Sequence, residues 1–93
     1  MHVTMRYYPG NTDLADQLAA RADDIRSVIG AVPGFRAYYL VKLEDATVSI
    51  TVCDDAAGTE ESTKVAAEWI RDNMPDLAAS PPMVSSGAVT LSA

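Results

Sequence analysis

The feature that most constrains this chain is a change of period at Pro33-Gly34. Upstream, Leu14, Leu18, Ala22, Ile25, Ile29 and Val32 recur at three- and four-residue steps, while Asp16, Asp23, Asp24 and Arg26 fall mostly on the other side. That is the pattern of an amphipathic helix with one buried stripe. Downstream, Phe35, Ala37, Tyr39, Val41 and Leu43 alternate with Arg36, Tyr38, Leu40 and Lys42, the period of a strand. Proline disfavours helical geometry at the residue before it and glycine admits positive φ, so the pair stops the helix and lets a strand begin at once.

The same two periods place the other elements. From His2 to Tyr8 one face carries Val3, Met5 and Tyr7 and the other His2, Thr4, Arg6 and Tyr8, a strand that Pro9-Gly10-Asn11 ends. Thr12 or Asn11 can cap the helix that follows, with Asp13 and Asp16 placed against its positive end. After Leu43, Glu44 to Thr47 turn the chain, and Val48, Ile50 and Val52 then alternate with Ser49, Thr51 and Cys53. Setting Leu43 opposite Val48 brings Val41 to Ile50 and Tyr39 to Val52, which matches the apolar faces of the hairpin. Thr59 can open a second helix, with Glu60 and Glu61 in its first turn and Val65, Ala66, Trp69 and Ile70 on its buried face, and Pro75 bars its continuation. Residues 76–82 read as a loop and residues 83–91 as a final strand interrupted by Gly87.

Strand-helix-strand followed by strand-helix-strand predicts a ferredoxin-like α+β fold: a four-stranded antiparallel sheet with two helices on one face. The 93 residues suit a single domain spanning 1–93. A chain this short buries only roughly 60–65% of the surface its unfolded form exposes, so covering one more face in an oligomer is a natural expectation. The expected arrangement puts Tyr7 and Tyr39 under the helices. It leaves the other sheet face, with Thr4, Tyr8, Arg36, Tyr38, Leu40, Thr51 and Cys53, to meet a second subunit in a homodimer.

Charge excludes some partners. A net charge of −6 with seven scattered Lys and Arg is unsuited to nucleic acid or to an anionic membrane surface. The start lacks a basic segment followed by a long apolar run, and no run of about 18 apolar residues follows, so a cytoplasmic location is expected. One cysteine provides neither an internal disulfide nor a zinc site. With no phosphate-cradling glycine loop and no Ser-His-Asp set either, neither cofactor nor metal is expected.

Pro33-Gly34-Phe35 after the first helix, the hairpin, the acidic pair Asp54-Asp55 and the string Ala66-Ala67-Glu68-Trp69-Ile70 resemble the dimeric α/β-barrel superfamily, near its antibiotic-biosynthesis-monooxygenase-like (ABM-like) members. The resemblance implies a homodimer whose two sheets form a barrel, each subunit holding a small hydrophobic ligand between helices and sheet. Relatives include cofactor-independent oxygenases of aromatic polyketides and quinols, and haem-degrading enzymes. Many members carry Trp at the end of the third strand, where this chain has Cys53. The haem-degrading relatives use a His on the second helix, whereas the sole histidine here is His2, which argues against haem degradation.

On this reading Tyr7, Tyr39 and Trp69 are the candidate ligand-binding residues. The phenols could hydrogen-bond a ligand carbonyl and stabilise enolate charge, and the indole could stack on an aromatic ring. The competing reading makes all three core side chains. Arg6 and Arg36 fit an inter-strand or inter-subunit ion pair, with Arg36 near Asp55, as well as an anion site. Cys53 reads as a buried structural thiol, and Asp54-Asp55 and Glu60-Glu61 as a strand end and a helix start. Two functions of different class follow: a dimeric domain that binds a small hydrophobic or aromatic ligand, and a cofactor-independent monooxygenase.

Overall fold

The computed structural model describes residues 1–78 and 81–93. Their elements are β1 (His2–Pro9), α1 (Asp13–Ala19), α2 (Ala22–Gly30), β2 (Phe35–Lys42), β3 (Ala46–Cys53), α3 (Ala56–Asn73), α4 (Pro75–Ala78) and β4 (Met83–Ala88). The strands form one antiparallel sheet in the order β2-β3-β1-β4. The helices α1, α2 and α3 pack on one of its faces, the ferredoxin-like arrangement that the sequence predicts. No helix among the described residues is long and apolar enough to cross a membrane.

The first helix is two helices. Ala20 and Arg21 interrupt it, Arg21 having a non-helical backbone (φ −111°, ψ 29°), and this side chain reaches over the Trp69 ring and bonds Asp24 and Asn73. The apolar stripe continues across the break, because Leu14, Leu18, Ile29 and Val32 are all buried. Asn11, not Thr12, provides the side-chain cap, accepting from the Leu14 amide at 3.3 Å. Thr47 fixes this end to the sheet, accepting from the Ala15 amide at 3.1 Å and donating to the Asn11 carbonyl at 2.7 Å.

The hairpin is tighter than the sequence reading has it. Leu43 donates its amide to the Ala46 carbonyl at 2.8 Å, so only Glu44 and Asp45 form the turn. Val41 consequently lies opposite Val48, and Tyr39 opposite Ile50. That is two residues from the expected register, a shift that keeps every side chain on its face. At the start of β2, Phe35 pairs with Cys53 and Ala37 with Val52, so Arg36 is the extra residue of a bulge. It forms an exposed ion pair with Asp54, not Asp55.

α3 begins before Thr59. The Asp55 carboxylate caps it by accepting from the Gly58 amide at 3.0 Å. A Cβ on Gly58 would stand 2.8 Å from the Cys53 Cβ and 2.9 Å from the Pro33 carbonyl oxygen, so glycine here lets the helix start lie directly on the end of β3. α4 (Pro75–Ala78) takes up the start of the loop expected over 76–82, and residues 79 and 80 lie outside the described residues. β4 ends at Ala88 and joins β1 of its own sheet.

The largest correction concerns the two faces of the sheet. Thr4, Tyr8, Thr51 and Cys53, expected at a subunit interface, are buried beneath the helices. Tyr38 and Leu40 lie opposite Thr51 and Ser49 and share that face, and Leu40 packs against the core of Tyr8, Leu14, Leu18, Trp69 and Ile70. Tyr7 and Tyr39, expected under the helices, lie on the opposite face with Val3, Met5, Val41, Val48, Ile50 and Val52. Alternation sorts strand side chains into two sets but does not say which set the helices take. Here the helices bring their own apolar stripe to a sheet face rich in hydroxyls. Among the described residues no buried side-chain nitrogen or oxygen lacks a hydrogen-bond partner.

Candidate functional site

The helices leave the edge strand β2 incompletely covered. A groove of about 820 Å³ runs between α1–α2 and β2, walled by Leu18, Ala22, Ile25 and Ile29 on the helix side and by Phe35 and Tyr38 on the strand. Its volume lies within the range of small-molecule sites, and its lining has the usual character of apolar walls with a few polar tips. The sequence provides the space through short side chains: Ala15, Ala19 and Ala22 line it from the helices. Lys42 donates to Asp16 at 2.9 Å, bridging the walls. The Asp16 carboxylate holds the Lys42 ammonium above its usual pKa, but the pair is exposed and adds little stability.

Inward, past Tyr38, the space narrows to about 20 Å³ among Arg6, Tyr8, Ser49, Trp69 and Ile70. Side chains fill this region. Trp69 is 9% exposed, with the Arg21 guanidinium 5.2 Å from its ring centroid. The ring thus lies beneath the groove as core.

Arg6 is the least ordinary residue of this layer. It is 2% exposed, yet no carboxylate pairs with it among the described residues. Its Nε donates to Ser49 at 3.0 Å and its Nη2 to Thr51 at 2.9 Å. Its Nη1 donates to Thr63 at 3.2 Å and to Ser62 at 3.4 Å. A buried charge costs several kcal/mol unless it is paired, and neutral hydroxyls offset only part of that. Burial accordingly lowers the Arg6 pKa. Burial raises those of Tyr8 and Tyr38, opposed by the nearby guanidinium, so both phenols stay protonated at neutral pH. The Cys53 thiol is raised as well, by burial first and then by Asp54 and Asp55, which makes it a poor nucleophile. No group of three or more His, Cys, Asp or Glu side chains stands ready for a metal among the described residues.

Of the residues singled out from sequence, the groove gathers Tyr38, Leu40 and, at its rim, Tyr39. Trp69 lies below it, and Tyr7 is on the far side of the sheet. Thr4, Thr51 and Cys53 are structural members of the inner layer, and Arg36 is at the exposed bulge. The sequence reading missed Arg6 as a buried centre. The signal was available: Thr4, Thr47, Ser49 and Thr51 alternate with apolar residues yet include no Lys or Glu, which is unusual for a strand face in water.

No protein-family model and no curated protein matches the sequence. Solved structures match the fold along nearly the whole chain. Rv0793 from Mycobacterium tuberculosis is 18% identical with a TM-score of 0.69, the match covering 99% of this chain and 97% of that one. A monooxygenase from the gene ActVA-Orf6 of Streptomyces coelicolor, in complex with nanaomycin D, is 20% identical with a TM-score of 0.66, covering 98% and 92%. A mutant of MhuD with two manganese protoporphyrin IX bound per active site is 15% identical with a TM-score of 0.73, covering 100% and 98%. The chain has the fold of these ABM-like structures.

Proposed function

We propose that this chain is a homodimeric ligand-binding protein that holds a small hydrophobic or aromatic molecule in the groove between α1–α2 and β2. The observation that carries this reading is the groove itself: about 820 Å³, apolar-walled, with the phenol of Tyr38 at its inner end and Tyr39 at the rim. Two structures of the same fold hold polycyclic or macrocyclic ligands, nanaomycin D and manganese protoporphyrin IX. Tyr38 and Tyr39 are assigned to the ligand, Trp69 to the floor beneath it, and Tyr7 to the subunit interface. That interface is the outer sheet face, where Val3, Met5, Tyr7, Val48, Ile50 and Val52 form an apolar surface that no helix among the described residues covers. Met5 and Met83 are 42% and 61% exposed there, and exposed apolar side chains gathered on one face mark an interaction surface.

The test is equilibrium binding of two- and three-ring aromatics (naphthols, anthrones and hydroquinols) to the wild type and to Ala22→Trp, which fills the groove. Binding that Ala22→Trp abolishes is the expected result. The reading falls if no member of the panel binds, or if Ala22→Trp leaves the affinity unchanged.

A second reading, a cofactor-independent monooxygenase, is favoured by the protonated Tyr38 phenol at the inner end of the groove beside Arg6 and Ser49, where polar groups would stabilise an enolate. An anthrone would then give electrons from its own ring: its methylene carbon takes one oxygen atom of O₂ to become a carbonyl, and the other leaves as water. Oxygen uptake with anthrone should be stoichiometric with substrate and should fall at least tenfold in Tyr38→Phe. Absence of uptake above the uncatalysed rate leaves the binding function alone.

A further inference from the structure

A second groove lies on the other side of α3, independent of the one just described. It has a volume of about 280 Å³ between α3 and β4, with walls of Ala67, Ile70, Pro82 and Val84 and with Arg6 and Thr63 at its polar end. Among the described residues this groove reaches the buried guanidinium with a volume of ligand size, whereas on the β2 side only about 20 Å³ adjoins it. We propose that the α3–β4 groove binds an amphipathic carboxylate, its head received by Arg6 and Thr63 and its apolar part by Ala67, Ile70 and Val84.

Charge complementarity determines the class of ligand. Arg6 is 2% exposed and surrounded by the hydroxyls of Ser49, Thr51, Ser62 and Thr63 and by the Tyr38 phenol, with no carboxylate of the described residues paired to it. A single buried positive charge is balanced by a monoanion, received beside the hydroxyls that already accept from Nε, Nη1 and Nη2. Thr63 completes the head-group site: its oxygen accepts from Nη1 at 3.2 Å, which leaves its own hydroxyl hydrogen to donate to an incoming anion. Ser62 is not available in that way, because it donates to the Thr59 carbonyl at 2.7 Å. The apolar walls then select a hydrocarbon-bearing carboxylate over a bare inorganic anion.

The experiment is calorimetric titration of the whole protein with octanoate and with octanamide, its neutral counterpart. Octanoate should bind at least tenfold more tightly. Arg6→Gln should bring the two to within about twofold, and Ala67→Phe, which fills this groove, should abolish binding of both while Ala22→Trp leaves it intact. Equal binding of octanoate and octanamide to the wild type overturns the proposal, and so does failure of both to bind. A preference that survives Arg6→Gln, or binding blocked by Ala22→Trp in place of Ala67→Phe, overturns it equally. The wild-type comparison stands even if a variant fails to fold.

Discussion

Single residues determine how closely the layers of this protein approach. Gly58→Ala would improve helix propensity by up to about 1 kcal/mol, but the added methyl would meet the Cys53 Cβ and the Pro33 carbonyl at under 3 Å. Overpacking costs about 1–3 kcal/mol, so the clash wins and urea unfolding should show a net loss. A second residue-scale effect is alkaline lability. Cys53, Tyr8 and Tyr38 all have raised pKa values in the fold, so above neutral pH the unfolded chain loses its protons first. Stability should therefore fall as pH rises through about 8.5 and then about 10, the unfolded thiol and phenol values. Cys53→Ala should flatten the first part of that fall and Tyr8→Phe the second, when unfolding midpoints are followed from pH 7 to pH 10.5.

At the scale of elements, caps and turns were partly legible in the sequence and partly not. Reading Asp54-Asp55 as a strand end and Thr59 as the helix start leaves Ala56-Ala57-Gly58 between them, and a glycine there ordinarily marks a turn. The structure uses them as the first turn of α3. Asp55→Ala should accordingly cost about 1 kcal/mol, measured by urea unfolding, whereas Thr12→Ala should change little because the Thr12 side chain makes no cap bond. The break between α1 and α2 was not legible. Ala20 is a good helix former, and the break places Arg21 over the Trp69 ring and against Asn73, partners about fifty residues away that no local pattern shows. The hairpin register was recovered by face but not by residue, since both registers bury the same alternation and only the two-residue turn distinguishes them.

For the whole molecule, the proposed dimer and the observed faces make opposite demands on two similar substitutions. Ile50→Asp puts a charge on the uncovered apolar face and should halve the mass seen by sedimentation while leaving the fold intact. Leu40→Asp puts the same charge against the helix-facing core and should lower the thermal midpoint sharply. If the sedimenting mass of Ile50→Asp is that of the wild type, the assignment of the outer face to a partner is wrong.

The sequence by itself determined the order of the four strands and the two main helical regions, the antiparallel pairing of the hairpin and the apolar stripe of the helices, because each follows from a period of 3.6 or 2 read over a short window. It also divided each strand into two sets of side chains. Which set the helices cover was decided only in the tertiary structure. There an inner layer of Thr4, Arg6, Thr47, Ser49 and Thr51 satisfies its polar groups by hydrogen bonding across β1, β3, β4 and the helices. Those bonds join residues far apart in the chain, so no local pattern shows them. They free the more apolar set to face outward, and with it they move the candidate site from Tyr7 to Tyr38.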